Sequence, residues 1–504
     1  MSAENIGFCV QDYLQQSFSR YANCVALKSG EAEVSYKQLN TQSQLLANLL
    51  IELSSDGKNK MVSCFFKSQV NYLVALLACM KARCIFVPFN SQLSYDENMA
   101  RNRQLPILCC LHDDVCLRDQ SSCCYYDLLT ADLSSEVDEY YVPYDCDDPV
   151  YVYFTSGTSA NPKAILGRNG SLAHFIEWET SEFKLSCNVK VLQLMSPVFD
   201  PYLRDVLVPL CVGGEIVFLD QPIQNTHDVL RLLADHSISL IHITPSYMNL
   251  LLRASKSRKK IFESMSFIFF AGERLSATTA NESISFFPNA KVINLYGPTE
   301  TTLAKAFYVV HSPVACIEWI PIGAPIRDSM IYVMGDSKLC EENEIGELCI
   351  ETQHASFGYY NEQAVSAQRF RASPFRHGYI LYHTGDMGYY DHNEQLHYVG
   401  RMDRQTKIAG VMTSFPLLEN LIMEYSNVDE CVVCEIEAIG LVAYYTSELV
   451  VDVSSIRSDI IQHIGKHAVI KHFIKLSSFP LNVNGKKNTQ ILSLISFFEQ
   501  WRSK

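Results

Sequence analysis

Short, nearly all-apolar runs recur along the chain, several of them closing on turns that contain glycine, serine or proline. They are MVSCFF (61–66), ARCIFVPF (82–89), VYVYFTSG (150–157), EIVFL (215–219), SLIHITP (239–245), FIFFAGE (267–273) and KVINLYG (291–297). Helical or polar stretches separate them. Runs this short and apolar predict strands buried on both faces, in a largely parallel sheet with helices layered on it. Ligands of such sheets gather beyond the carboxyl ends of the strands. The loops that follow these runs are therefore the places to look for chemistry.

The pattern changes after about residue 330. MIYVM, GELCIET, YILYHTGD and LHYVGR are closely spaced strand signals of a smaller β-rich unit. GRMDRQTKIAG (400–410) is a polar, glycine-flanked passage that reads as a hinge, and a small tail follows it. The predicted fold class is α/β: a large N-terminal lobe of layered sheets and helices over 1–402, with a β-rich subdomain at about 325–402. A small, mobile α+β C-terminal lobe covers 403–504.

A chain of 504 residues, 48% of them hydrophobic, exceeds one compact core and is not disordered. The net charge of −14 argues against a general nucleic-acid binder, which needs a basic face. Many of the 18 cysteines, such as Cys84, Cys211 and Cys349, sit in apolar or helical stretches, as small buried hydrophobes do. Cys109-Cys110 and Cys123-Cys124 are adjacent pairs, without zinc-ligand spacing. The N-terminus lacks a basic-then-apolar leader, and no apolar run reaches membrane-spanning length. The expected location is the cytoplasm, with no nucleic-acid or membrane partner.

Two loops suit phosphate chemistry. In YFTSGTSANPKAIL (153–166), Thr155, Ser156, Gly157 and Thr158 form a hydroxyl- and glycine-rich loop after a strand, with Lys163 just beyond. Backbone N–H groups and hydroxyls wrap a phosphate there, and a lysine adds a point charge. The spacing is not that of a P-loop. In NLYGPTETT (294–302), Tyr296 offers a ring for a flat base, and Glu300 offers oxygen to Mg²⁺, a hard cation. YHTGDMGYY (382–390) places Asp386 in a turn suited to sugar hydroxyls. PLNVNGKKN (480–488) carries Lys486 on a glycine turn.

In this order, the motifs resemble the adenylate-forming superfamily of acyl-CoA synthetases, luciferases and the adenylation domains of non-ribosomal peptide synthetases. The resemblance runs from SYKQLN (35–40) almost to the end. LYGPTETT, PIGAPI (321–326), GELCIE and PLNVNGK point to the peptide-synthetase branch, specifically a free-standing amino-acid adenylation domain. The resemblance implies ATP and Mg²⁺ as cofactors. It assigns Thr155, Ser156, Gly157, Thr158 and Lys163 to the phosphates, and Gly272, Glu273 and Tyr296 to the adenine. Thr299 and Glu300 serve phosphates and metal, Asp386 and Arg401 the ribose. Asp403 marks the hinge, and Lys486 is the catalytic lysine. The acid's own carboxylate attacks the α-phosphate, so no strong base is needed. The family's small lobe then rotates, and the phosphopantetheine thiol of a carrier protein takes the acyl group.

FDPYLRD (199–205) resembles the segment in which an aspartate, here Asp200, binds a substrate α-ammonium group. By the same comparison, Pro201, Arg204, His242, Phe269, Ala271, Leu295, Leu303 and Ala304 line the side-chain pocket. A buried guanidinium requires an anion. Arg204 with His242 therefore predicts an acidic substrate, aspartate, glutamate or a derivative, with pairing of Arg204 to Asp205 or another carboxylate of the protein as the alternative.

The chain departs from the family at several points. Ala160 and Ala164 stand where the phosphate loop usually has glycine, which predicts weakened activity. After the hinge, Ala409 replaces an arginine and Pro416 interrupts the usual run. The Pro-Tyr-Met stretch before the lysine motif is missing. Adenylation is therefore the firmer expectation and thioester formation the weaker. No carrier segment follows residue 490, which predicts a carrier acting in trans. Two alternatives remain: an acyl- or aryl-CoA ligase, and a degenerate nucleotide-binding member without catalysis.

Overall fold

The computed structural model describes the chain except for residues 1–8, 55–58, 91–92, 94–96, 99–103, 114–123, 128–141, 156–162, 220–225, 256–261, 312–313, 315–317, 336–337, 409–410, 424, 426, 437–439, 464–469, 482–485, 489–490 and 493–504. The chain divides into two compact units. The first comprises Met1–Ile331 and Ile350–His383, the second Tyr332–Cys349 and Thr384–Lys504.

The first unit holds two large sheets. One has nine strands in the order Ala324–Pro325, Ala306–Val310, Lys291–Tyr296, Phe267–Phe270, Leu240–Ile243, Lys190–Gln193, Glu215–Phe218, Val25–Ser29 and Ala32–Ser35. Its inner strands pair in parallel, and antiparallel strands flank them on both sides. The other has six strands in the order Cys124–Asp127, Ile107–His112, Met61–Phe65, Ile85–Pro88, Pro149–Thr155 and Lys163–Arg168. The apolar runs read from sequence are strands in these sheets. Leu240–Ile243 and Met61–Phe65 are buried at every position, as strands covered on both faces must be.

Two helices position the candidate site. Pro201–Val212 starts on proline, whose missing N–H costs nothing in the first turn, and ends at left-handed Gly213. Residues Tyr202 through Leu210 are all buried, so this is an interior helix. Burial of each large apolar side chain contributes about 1.5–3 kcal/mol. Asn169–Glu182 is buried at Leu172, Phe175, Ile176 and Glu179, an apolar stripe at helical spacing that ends in a carboxylate.

Residues Phe370–Ala372 of the first unit pair antiparallel with Ile380–Tyr382. In the second unit, Asp386–Tyr390 pairs antiparallel with Leu396–Arg401. A three-stranded sheet follows, formed by Glu430–Ile436, Gly440–Thr446 and His472–Leu476. Alternation along its strands serves two cores. Cys431, Val433, Leu441, Ala443 and Tyr445 face one core, and Val432, Val442 and Tyr444 face the other. Pro416 occupies the first turn of the helix Phe415–Met423 and is buried. A Cβ on Gly400 would lie 2.5 Å from the Pro416 ring, so this departure from the family pattern is locked into the packing.

Candidate active site

The turn after Lys291–Tyr296 is forced by close backbone approach. A Cβ on Gly297 would come within 2.5 Å of the Leu303 carbonyl oxygen and 2.6 Å of Ala304 Cα. Thr302 and Leu303 both adopt positive φ, 65° and 63°, where β-branched and bulky residues are strained. The tight loop holds Glu300 at 8% exposure on a short 3-10 turn, Thr299–Thr301. The Tyr359 hydroxyl donates to Glu300 Oε1 at 2.9 Å. Lys163 Nζ lies 5.1 Å from the centroid of the Tyr359 ring. The structure thus gathers Lys163, Tyr359 and Glu300, joining the end of the phosphate loop to the candidate metal ligand. Burial, and then the Glu300 charge, push the Tyr359 phenol well up, so it stays a proton donor.

Ser156, Gly157, Thr158 and Ala160 lie outside the described residues, as does Ala409. Thr155 ends its strand opposite Lys163. Ala164 is in the extended strand Lys163–Arg168, opposite Phe154, where a Cβ is accommodated without strain. Gly272 has φ 87°, which favours glycine. Beside it, Glu273 Oε2 accepts from Ser246 N at 3.0 Å, at the start of the helix Pro245–Ser255. The carbonyl oxygen of half-buried Tyr296 accepts from Lys305 N at 2.7 Å.

The candidate pocket residues come from the carboxyl ends of neighbouring strands and from the helix Pro201–Val212. His242 and Phe269 are register partners, with rings 5.3 Å apart. Leu295, Leu303 and Ala304 are buried, and Ala271 is half-buried. Pro201 is the first residue of the helix, and Asp200, at its N-cap, is 8% exposed. The Asp200 carboxylate makes no hydrogen bond to the first turn, so it does not act as a helix cap. Burial, then the charge of Asp200, hold the Tyr153 phenol well above its usual pKa.

Arg204 is 2% exposed and lies between two aromatic rings, 5.4 Å from Phe175 and 5.7 Å from Phe269. Its Nε is 3.3 Å from Glu179 Oε2. From sequence, the anion for Arg204 comes from substrate or from protein, and the structure supplies Glu179. His242 joins the same network: Nε2 is 3.0 Å from Glu179 Oε1, and Nδ1 is 2.7 Å from Asp205 Oδ1. Asp205 Oδ2 also accepts from the backbone N–H groups of Leu194 and Met195. Burial alone would raise the Glu179 pKa, but Arg204 and His242 outweigh it and hold this carboxylate below its usual range.

The second unit carries the remaining candidates. Asp386 Oδ1 accepts from Arg401 Nη1 at 3.1 Å, and the two residues are register partners. Arg401 also forks onto Asp403, with Nε and Nη2 at 3.3 and 3.2 Å from its two oxygens. The predicted ribose pair and the predicted hinge residue are thus one ionic chain. Lys486 is half-buried, next to Lys487, which bridges Leu481, and Asn488 N donates to Pro480 O. The adjacent Lys487 pairs with Glu430 at 3.2 Å.

Sequence reasoning does not find Glu179, Tyr359 or the strained Thr302. Only Glu179 leaves a visible signal, a carboxylate at an apolar position of SLAHFIEWE.

The AMP-binding enzyme family model matches residues 14–360. Bacitracin synthase 3 of Bacillus licheniformis is 26% identical over 96% of this chain, and surfactin synthase subunit 3 of Bacillus subtilis (strain 168) is 24% identical over 95%. The chain spans 8% of the first relative and 38% of the second. Among solved structures, Klebsiella oxytoca NpsA in complex with 3-hydroxyanthranilyl-AMSN aligns with a TM-score of 0.84 and 20% identity, covering 97% of this chain and 99% of NpsA. O-succinylbenzoate coenzyme A synthetase from Bacillus subtilis aligns with a TM-score of 0.77 and 18% identity, covering 94% and 96%. The fold is that of adenylate-forming enzymes, and the chain belongs to the AMP-binding enzyme family.

Proposed function

We propose that the protein adenylates an amino acid with ATP, releases pyrophosphate, and passes the aminoacyl group to a phosphopantetheine thiol on a separate carrier protein. The observation that carries the amino-acid half is Asp200, a carboxylate only 8% exposed at the start of the interior helix that bears Arg204. It has the sign and the burial to hold an α-ammonium group. The peptide-synthetase relatives, which match along nearly the whole chain, support the adenylation half.

The substrate carboxylate is already ionised at neutral pH and acts as the nucleophile. The protein's task is to align two anions and offset the charge that grows at the α-phosphate. Lys163 faces the phosphates, and Thr299 adds a hydroxyl. Glu300 fits a Mg²⁺ ligand, as a hard-oxygen donor held in place by the Tyr359 hydroxyl. Mg²⁺, when bound there, neutralises phosphate charge. Asp386 and Arg401 hold the ribose, and Gly272, Glu273 and Tyr296 border the adenine. Lys486 adds positive charge in the adenylation step. We place the division between the catalytic lobes at Asp403, after the paired strands that end at Arg401.

Two structural neighbours favour a second reading, an aryl-acid or CoA ligase. NpsA was solved with a hydroxyanthranilyl ligand, and the O-succinylbenzoate enzyme is a coenzyme A synthetase. Acid-dependent ATP–pyrophosphate exchange, followed by thioester assays with CoA and with a loaded carrier, separates the readings. Exchange with an amino acid but no CoA product supports the first. CoA thioester formation from an aryl or fatty acid overturns it.

A further inference from the structure

The charged groups that surround Arg204 meet one another without a ligand. Glu179 and Asp205 are fully buried carboxylates, and Arg204 and His242 are almost as buried. Both ring nitrogens of His242 face carboxylate oxygens, at 2.7 and 3.0 Å. Each ring nitrogen is thus committed to a carboxylate of the protein. One guanidinium and one imidazole therefore face two carboxylates, so the network has no excess of positive charge. A further carboxylate buried here has no remaining cation in the network to offset it, and an unpaired buried charge is strongly disfavoured.

Glu179 closes this balance from a different element than the rest. It reaches in from the helix Asn169–Glu182, while Arg204 and Asp205 lie on Pro201–Val212 and His242 on Leu240–Ile243. The rings of Phe175 and Phe269 hold the guanidinium in place beside it.

We infer that Glu179 sets the substrate class: it occupies from within the protein the anionic place that Arg204 would otherwise offer, so the site takes an amino acid with an uncharged side chain and rejects aspartate and glutamate. The inference rests on the amino-acid reading proposed above. Among the described residues, Arg204 Nη2 is buried without a hydrogen-bond partner, and it can serve a neutral oxygen without upsetting the balance. Glu179 touches Arg204 and His242, and so acts as a positioning residue through them.

The test is acid-dependent ATP–pyrophosphate exchange by the full chain, read as kcat/KM for the best uncharged amino acid divided by that for aspartate or glutamate. The wild-type ratio is expected to be about 10²-fold or more. Glu179→Gln keeps the shape and removes the charge, and is expected to lower the ratio at least ~10-fold. Glu179→Asp keeps the charge and restores discrimination. A wild-type preference for aspartate or glutamate overturns the inference. So does a Glu179→Gln protein with a native circular-dichroism spectrum and an unchanged ratio. If Glu179→Gln does not fold, the wild-type ratio decides. If only an aryl acid is activated, the amino-acid reading fails by itself; Glu179 is then judged by the same ratio, between that acid and its analogue with a second carboxylate on the ring. Absence of exchange with every acid removes both.

Discussion

Lys305 directly follows the pocket residues Leu303 and Ala304, is fully buried, and its Nζ has no hydrogen-bond partner among the described residues. Burial pushes its pKa from 10.5 down to about 7. Its surroundings offer no relief: burial and then the charge of Lys305 push His174 down to about 2, and the same causes push His354 down to about 3. The fall in the Lys305 pKa corresponds to ~5 kcal/mol of lost stability when the amine is charged in both states. The sign follows from proton counting. Below pH 7 both states are protonated, and the full cost applies. Between pH 7 and 10.5 the unfolded chain keeps a proton that the folded one has released. Stability there rises with pH by up to ~1.4 kcal/mol per unit. Lys305→Met keeps the length and removes the charge. It is expected to exceed the wild type by up to ~5 kcal/mol at pH 6 and by only ~2 kcal/mol at pH 9. Urea unfolding of both proteins at pH 6, 7, 8 and 9 measures the gap. A gap independent of pH, or a Lys305→Met protein less stable at pH 6, refutes the reasoning.

Four further substitutions probe the site. Lys486→Ala is expected to abolish most pyrophosphate exchange while ATP binding persists, and unchanged exchange removes the role given to Lys486. Glu300→Gln is expected to cost ~10²-fold or more in exchange and to raise the Mg²⁺ concentration needed, which a Mg²⁺ titration checks. Gly297→Ala places a Cβ 2.5 Å from a backbone oxygen; a lower melting temperature and loss of exchange are expected. Arg204→Leu leaves Glu179 with less compensation and is expected to destabilise by about 3–5 kcal/mol. Arg204→Leu combined with Glu179→Leu is expected to recover much of that in urea unfolding.

The strands were legible because burial on both faces leaves an unambiguous apolar run, as in FIFFAGE and KVINLYG. The turn after Tyr296 was legible as a motif, but its mechanics were not: the strain at Thr302 and Leu303 arises from the close return of the chain onto Gly297. Arg204 and His242 stood out as polar residues among apolar ones. Their partners are 25 and 63 positions away in Glu179, a separation that no local periodicity encodes. Arg204 therefore left two open choices in the sequence, and tertiary packing settles which carboxylate it meets. Tyr359 likewise reaches Glu300 across 59 positions. Pro416, which reads as a break in the family pattern, is a helix-start proline packed on Gly400.

The central claim, that this chain activates an amino acid as its adenylate, is tested most directly by ATP–pyrophosphate exchange screened across amino, aryl, hydroxy and fatty acids. Exchange that depends on one amino acid or a few related ones is expected. Exchange driven only by acids that lack an α-ammonium group, or none from any acid while ATP still binds, contradicts it.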